Sequence, residues 1–430
     1  MGNFISNSNM KLIYVLIDGV SDGMYKQPRK TPLELAVTPN LDLLMRNGAM
    51  AEVIPIKNGI APESDVAVFN MLGYNFDNYK YPGRGVIEAI GSGIDFTNGD
   101  IALRGNFSTI DNNENILDRR AGRNIRKVEA LKITKTLEDK IKFSMPNTIL
   151  TILPTIGHRL SLRIRCKEKN LSGNISNTDP AYDNINRIGV ANTGLNLSKI
   201  KKCCSLDNKI NSQISAKLVN EFTEKSIAIM KNNEVNKFRV SQNKKPINCI
   251  LTRDAGDEYP TLIPINQKYG LKFSCIVDMP VEIGIAKILK MRINNSNNIT
   301  DYVGKAKSVL EELQQHNVVY VHLKGPDEFG HDGDFEGKTK CIENIDTKFF
   351  KFLIENINTN KIAVLVSADH STPCMNKAHS SDPVPLLISA DQIKKDITTK
   401  FTETQARKGS LKLLKGHKVL TEIFRLLNSK

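Results

Sequence analysis

Apolar and polar positions along the chain fall into short blocks of two kinds. The first kind is the uninterrupted apolar run. LIYVLI (12–17), NCIL (248–251), FSCIV (273–277), VVYVHL (318–323), IAVLVS (362–367) and VPLLIS (384–389) are such runs, rich in β-branched residues. They predict buried strands. The second kind has helical spacing. TPNLDLLMRNG carries a helix start at Thr38 and Pro39 and a stop at Gly48, and SDVAVFNML opens at Ser64 with Gly73 beyond its end. Helices are also expected over 303–315, 339–357 and from about 417. Strands alternating with helices predict an α/β fold with a mainly parallel sheet.

The middle of the chain is more polar, rich in Asn and Lys, and weaker in both signals. The expected organisation is a core domain from 11–96 and 251–430, split in sequence by an inserted smaller α/β domain at 97–250. Residues 1–10 are expected to be a disordered extension to it.

Charge changes this picture at one edge of the sheet. Asp18 follows the first strand, Asp327 and His331 follow the strand at 318–323, and Asp369 and His370 follow the strand at 362–367. The ends of parallel strands share an edge, where ligands bind. His379 precedes the strand at 384–389 and is within reach of that edge. Three carboxylates and three imidazoles suit Mn, Zn, Fe, Co or Mg, and six or seven ligands imply two ions. Ser64, at a helix start, is the candidate nucleophile, since the N-terminal N–H groups favour an anion. An ordinary capping serine is the alternative. LDRRAGRN (117–124) places Arg119, Arg120 and Arg123 together, and GHRLSLRIR (157–165) adds more guanidinium groups. Such groups clamp carboxylates and phosphates, although a solvated basic surface has the same composition.

The formal charge of +14 raises a nucleic-acid partner. Scattered Lys and Arg, few aromatics, and no helix-turn-helix or zinc-finger spacing argue against it. No segment has the ~18 continuous apolar residues of a membrane span. The N-terminus lacks the pattern of a secretory signal. Seven cysteines without a C-x-x-C pair point to reduced thiols in the cytoplasm.

These residues resemble the archaeal-type, cofactor-independent phosphoglycerate mutases of the alkaline phosphatase superfamily. The resemblance rests on YVLIDGVSDG, TPLELAVTPNLDLL, GIAPESDVAVFNMLGY, GRGVIEAIGSGI, DIALRGNFSTI, DRRAGR, HLKGPDEFGHDGD, SADHSTPC and HSSDPVP, in order over about 11–410. It implies an alkaline-phosphatase-like core and a substrate-binding insert. One metal site would use Asp18, Ser64, Asp369 and His370, and the other Asp327, His331 and His379. Manganese is the foremost ion, with Mg, Co and Zn as alternatives, and no bisphosphoglycerate is required. Ser64 would be phosphorylated in turnover, and Lys324 would help hold the phosphoryl group. Arg119, Arg120 and Arg123, with His158, Arg159 and Arg253, would bind a small anionic phosphorylated substrate. The expected reaction interconverts 3-phosphoglycerate and 2-phosphoglycerate. A phosphatase, or a mutase of another phosphorylated metabolite, is the alternative on this scaffold. The stretch 185–245 departs from the family pattern. So does MGNFISNSN, which fits M-G-x-x-x-[ST] and makes Gly2 a candidate for N-myristoylation and weak membrane association.

Overall fold

A computed structural model describes residues 11–23, 29–191, 199–295 and 298–428. Gly2 and the extension around it lie outside the described residues. The chain divides into two compact units, one from Met1–Tyr79 with Leu262–Lys430 and one from Lys80–Thr261.

The first unit is built on an eight-stranded sheet. Its order is Arg292–Asn294, Phe273–Ile276, Val318–Leu323, Lys11–Ile17, Ile362–Ser367, Val384–Ser389, Gly48–Ile54 and Leu414–Lys415. Neighbours from the first of these through Ile362–Ser367 are parallel, while Val384–Ser389 runs antiparallel to both of its neighbours. The apolar runs behave as expected: Leu12 to Leu16 and Val318 to Val321 are all at most 1% exposed. Their register sets the functional edge. Ile17 pairs with Leu323 and Leu16 with Ser367, so the residues that leave all three strands emerge side by side.

The structure corrects several expectations. The strand expected at 248–251 forms as Cys249–Gly256, but in the second unit, antiparallel to Ile101–Ile110. Gly48–Ile54 is a strand that the helix stop at Gly48 concealed. Thr38 stands at the cap of the Pro39–Arg46 helix but makes no side-chain cap bond. The Asp346 carboxylate accepts instead from the Asn40 and Leu41 N–H groups, at 3.3 and 2.8 Å. Asp346 opens a π-helical turn, Asp346–Phe350, which interrupts the helix expected over 339–357.

Behind the strand ends, two buried polar contacts tie the loops together. The Lys338 ammonium is fully buried, pairs with Asp22, and donates to the Ser21 and Thr372 carbonyls. Asp22 also accepts the Cys374 N–H at 2.9 Å. The loop after Lys11–Ile17 is thereby fastened to the loop after Ile362–Ser367. Lys338→Met strands a buried carboxylate and is expected to cost about 3–5 kcal/mol, read by chemical denaturation.

Glu403 accepts from Asp22 N at 3.0 Å and from Thr31 Oγ1 at 2.8 Å. Burial, with Asp22 nearby, pushes its pKa up to about 7. The folded state therefore holds this proton more tightly than the unfolded chain, and stability from Glu403 falls as pH rises from about 4.5 to 7. Glu403→Gln keeps the acceptor oxygen and should remove that fall. Melting curves of the two proteins should differ more at pH 8 than at pH 5, with the variant the more stable at pH 8.

The second unit has an antiparallel sheet. Ile116–Asp118, Ile101–Ile110, Arg159–Cys166 and Thr148–Pro154 follow one another, and Cys249–Gly256 pairs with Ile101–Ile110. Ile133 and Leu137 from Lys127–Lys140 and Phe222 and Met230 from Ile210–Lys231 pack with Leu160, Leu162 and Ile164 in one core. The unit starts at Lys80 rather than 97 and ends at Thr261 rather than 250. The reason is close packing of the Arg84–Ser92 helix on this sheet. A Cβ on Gly85 would stand 2.5 Å from both Ala102 O and Asp254 O.

Candidate metal centre

The edge of the eight-stranded sheet brings the predicted side chains together. Asp18 leaves its strand with its N–H on Leu323 O at 2.9 Å. Gly19 then turns back at φ +57°, where its N–H reaches Asp369 Oδ1 at 3.2 Å. A Cβ there would meet Asp327 Oδ1 at 2.8 Å, so the turn requires glycine. His370 Nε2 lies 3.4 Å from Asp18 Oδ1 and 3.3 Å from Asp369 Oδ2. Ser64, first residue of the Ser64–Met71 helix, places its Oγ 3.1 Å from the same nitrogen.

Beside this group stands a second. Asp327 Oδ1 is 3.4 Å from His379 Nε2 and 3.6 Å from His331 Nε2, and these two nitrogens are 3.2 Å apart. His379 Nδ1 lies 2.7 Å from Pro62 O and His331 Nδ1 lies 3.1 Å from Lys377 O. A carbonyl can only accept, so each Nδ1 carries a proton, and each Nε2 faces the centre, where its lone pair becomes available to a cation once that nitrogen is deprotonated. Asp327 is further held by the Thr372 hydroxyl at 2.7 Å.

The chemistry of these atoms fits cations. Asp18 Oδ1 and Asp369 Oδ2 are buried without a hydrogen-bond partner. Burial and then the neighbouring Asp18 and Asp327 charges push the Asp369 pKa well above the usual carboxylate range. Burial opposes a charge on His379, yet Asp327 outweighs it and raises that pKa to about 10. A hard cation would relieve both the crowded charge and the unsatisfied oxygens. The oxygen and imidazole donors suit divalent ions of the Mn, Mg, Co and Zn type.

Comparison with known proteins decides the family. The family model of 2,3-bisphosphoglycerate-independent phosphoglycerate mutase matches residues 46–236. A curated protein of that name from Aeropyrum pernix is 39% identical, covering 97% of this chain and 100% of its own. One from Archaeoglobus fulgidus is 34% identical over 97% of this chain and 98% of its own. The chain belongs to this family. Among solved structures, a Pyrococcus horikoshii protein superposes with a TM-score of 0.77 at 26% identity, over 98% of each chain. A cofactor-independent phosphoglycerate mutase from Thermoplasma acidophilum gives 0.61 at 26% identity, over 97% of this chain and 99% of its own.

In the mutase, Lys324 is more engaged than its loop position suggested. Its ammonium lies 2.8 Å from Asp18 Oδ2 and 2.6 Å from Glu282 Oε1. Burial opposes its charge, but Asp18 and Glu282 hold its pKa well above the usual lysine value. It is therefore a permanent cation that orients Asp18. Glu282, on the Pro280–Ile288 helix, was not singled out from sequence. Its signal is one acid among apolar neighbours in PVEIGIA.

The second unit of the mutase gathers guanidinium groups on its own sheet. Arg119 pairs with Asp179 through Nε and Nη2, at 3.1 and 2.5 Å. Arg253 reaches Asp179 and Asp254, each at 3.3 Å, and lies 4.2 Å over the Tyr182 ring. Arg104 bridges Glu88 and Asp254, both at 3.0 Å, and Arg84 takes Glu88 at 2.9 Å. Arg159 is the exception. Burial and the charge of Arg104 depress its pKa, and Glu88 is its compensating neighbour. Five guanidinium groups thus face three carboxylates, and that of Arg159 has no hydrogen-bonded acceptor among the described residues.

His158 is beside Arg159, Arg253 and Arg123, and burial followed by those charges lowers its pKa to about 4. Of the six predicted binding residues, the structure gathers Arg119, His158, Arg159 and Arg253, with Arg123 at the margin. Arg120 is exposed, its N–H bound to Asp118, and its side chain does not join the cluster. Arg84 and Arg104 were missed. Their signals are an Arg–Glu pair four residues apart in RGVIE and an arginine inside the buried strand IALRGNF.

Proposed function

We propose that the mutase interconverts 3-phosphoglycerate and 2-phosphoglycerate through a phosphoserine at Ser64. The observation that carries this reading is the Ser64 hydroxyl, at a helix start and 3.1 Å from His370 Nε2 on the rim of the Asp18–Asp369–His370 donor set. One divalent ion would be held by Asp18, Ser64, Asp369 and His370, the other by Asp327, His331 and His379. Bound there, two ions, manganese foremost, supply Lewis-acid charge for the phosphoryl oxygens and acidify the Ser64 hydroxyl.

Ser64 Oγ gives up its proton and forms a bond to phosphorus as the bond to the substrate's C3 oxygen breaks, and that oxygen takes a proton. The glycerate then presents its C2 hydroxyl, which gives up a proton as its oxygen takes the phosphoryl group from Ser64, and Ser64 Oγ takes a proton back. Protons balance over the cycle, and no second phosphorylated compound is consumed. The helix N–H groups at Ser64 favour the phosphorylated state. Lys324, locked on Asp18 and Glu282, adds positive charge near the transferring group.

In the second unit Arg159, with Arg119 and Arg253, would bind the glycerate carboxylate and hydroxyls. Holding the glycerate and excluding water separates a mutase from a phosphatase. Arg159→Leu is expected to lower kcat/KM about tenfold to somewhat over a hundredfold, with some free phosphate released. Unchanged kinetics would assign Arg159 to the fold alone.

The deciding assay uses purified protein, Mn²⁺ and 3-phosphoglycerate without bisphosphoglycerate. Appearance of 2-phosphoglycerate is the expected result, and release of phosphate alone would replace the mutase reading with a phosphatase. We place the enzyme in the cytoplasm. Among the described residues no helix is long and apolar enough to cross a membrane. Myristoylation of Gly2 is a separate proposal, tested by mass spectrometry of the native N-terminus.

A further inference from the structure

His322 lies in the Val318–Leu323 strand, buried to 1% exposure, and nothing in the proposed reaction uses it. Residues two apart share a strand face, and Tyr320 Oη is 2.6 Å from His322 Nδ1. The other ring nitrogen points at the metal centre. His322 Nε2 is 3.9 Å from Asp18 Oδ1 and 3.7 Å from Asp369 Oδ2. These are the two oxygens that face His370 Nε2. Among the described residues Asp18 Oδ1, Asp369 Oδ2 and His322 Nε2 are all buried and all without a hydrogen-bond partner.

The tautomer follows from what surrounds the ring. With the proton on Nδ1, Nε2 would aim a lone pair at two carboxylate oxygens, and the Tyr320 proton would lack this acceptor. With the proton on Nε2, Tyr320 donates to Nδ1 and the imidazole N–H faces both carboxylates. We propose that His322 is a positioning residue. Its Nε2–H, fixed by Tyr320, points between the metal-binding oxygens of Asp18 and Asp369 and, by electrostatic attraction, keeps both aimed at one ion. The distances exceed a direct hydrogen bond to either oxygen, so the N–H acts on both carboxylates as an electrostatic dipole and not as a hydrogen-bond donor in this geometry. Sequence alone concealed this role, because a histidine in VVYVHL reads as a core residue.

The proposal rests on Asp18, Asp369 and His370 forming a metal site, so its test reads metal binding and not turnover. Metal-stripped protein is titrated with Mn²⁺, and with Co²⁺ for its visible spectrum, in the natural sequence and in His322→Leu, His322→Gln and Tyr320→Phe. The expected result is that His322→Leu weakens one of two ions about 10- to 100-fold and leaves the other unchanged. His322→Gln keeps an N–H donor and recovers most of that loss. Tyr320→Phe, which frees the tautomer, falls between. The Co²⁺ spectrum keeps its shape throughout, because no ligand is lost.

Equal affinities in all four proteins would overturn the proposal while leaving the metal site intact. Equal losses in the Leu and Gln variants would overturn the role of the N–H. An altered Co²⁺ spectrum would make His322 a ligand, which also overturns it. If the natural protein binds no ion, the metal site and this proposal fall together. Should His322→Leu fail to fold, Tyr320→Phe still decides. Weakened binding there beside near-normal His322→Gln supports the role, and unchanged binding rejects it.

Discussion

Ser64→Ala is expected to lower turnover by about a thousandfold or more and to leave the fold intact. The size follows from the role, since loss of a nucleophile removes a covalent path that binding alone does not replace. Stability should hold because the hydroxyl does little for the fold. The helix cap position belongs to Glu63, and the contact of Ser64 Oγ is with His370 Nε2. The change in stability should stay within about 1 kcal/mol. Three readouts are needed. Steady-state kinetics give the loss, thermal melting shows the fold, and mass spectrometry of acid-quenched enzyme shows the phosphate adduct. The adduct should appear on the natural protein and vanish in the variant. A variant with full activity, or an adduct on another residue, would end the phosphoserine mechanism.

The metal-type residues were legible because each follows a run that only a buried strand explains. LIYVLI ends at Asp18 and IAVLVS ends two residues before Asp369, and parallel pairing in register brings them together. The distances were not legible. His379 is held by Pro62 O, in the segment leading to Ser64, and no spacing along the chain encodes that contact. Buried charges inside elements were harder still. His322, Glu282 and Arg104 each look like isolated polar residues, and the charged groups they face lie elsewhere in the chain. Arg119 and Arg120 show a third limit. Adjacent residues at a strand end point apart, so one pairs with Asp179 and the other faces solvent, and DRRAGR does not state the phase. The unit boundary was misplaced for a related reason. The Arg84–Ser92 helix has the pattern of a core element, and it is Gly85, meeting the backbone of Ala102 and Asp254, that assigns it to the second unit.

Chelation is expected to abolish activity and to lower the melting temperature, with both restored by Mn²⁺ or a similar divalent ion. Asp18, Asp327 and Asp369 stand around one small volume, with Lys324 as their permanent cation and histidines as the remaining partners. Removing divalent charge leaves carboxylates that repel each other and buried oxygens without partners. A ligand present at a hundredfold over its dissociation constant stabilises the folded state by about 2.7 kcal/mol, so two ions account for about 5 kcal/mol. That stabilisation should shrink as free metal is lowered, which makes the melting temperature depend on metal concentration. The two sites should separate in such a titration. Asp18 and Asp369 are nearly inaccessible, whereas His331 is 42% exposed at its side chain. The ion on Asp327, His331 and His379 should therefore exchange faster and leave first, giving a two-step loss of stability. Activity that survives exhaustive removal of metal would remove both sites from the mechanism. A single step in stability with full loss of activity would leave the chemistry standing and show that the two ions bind as one cooperative unit.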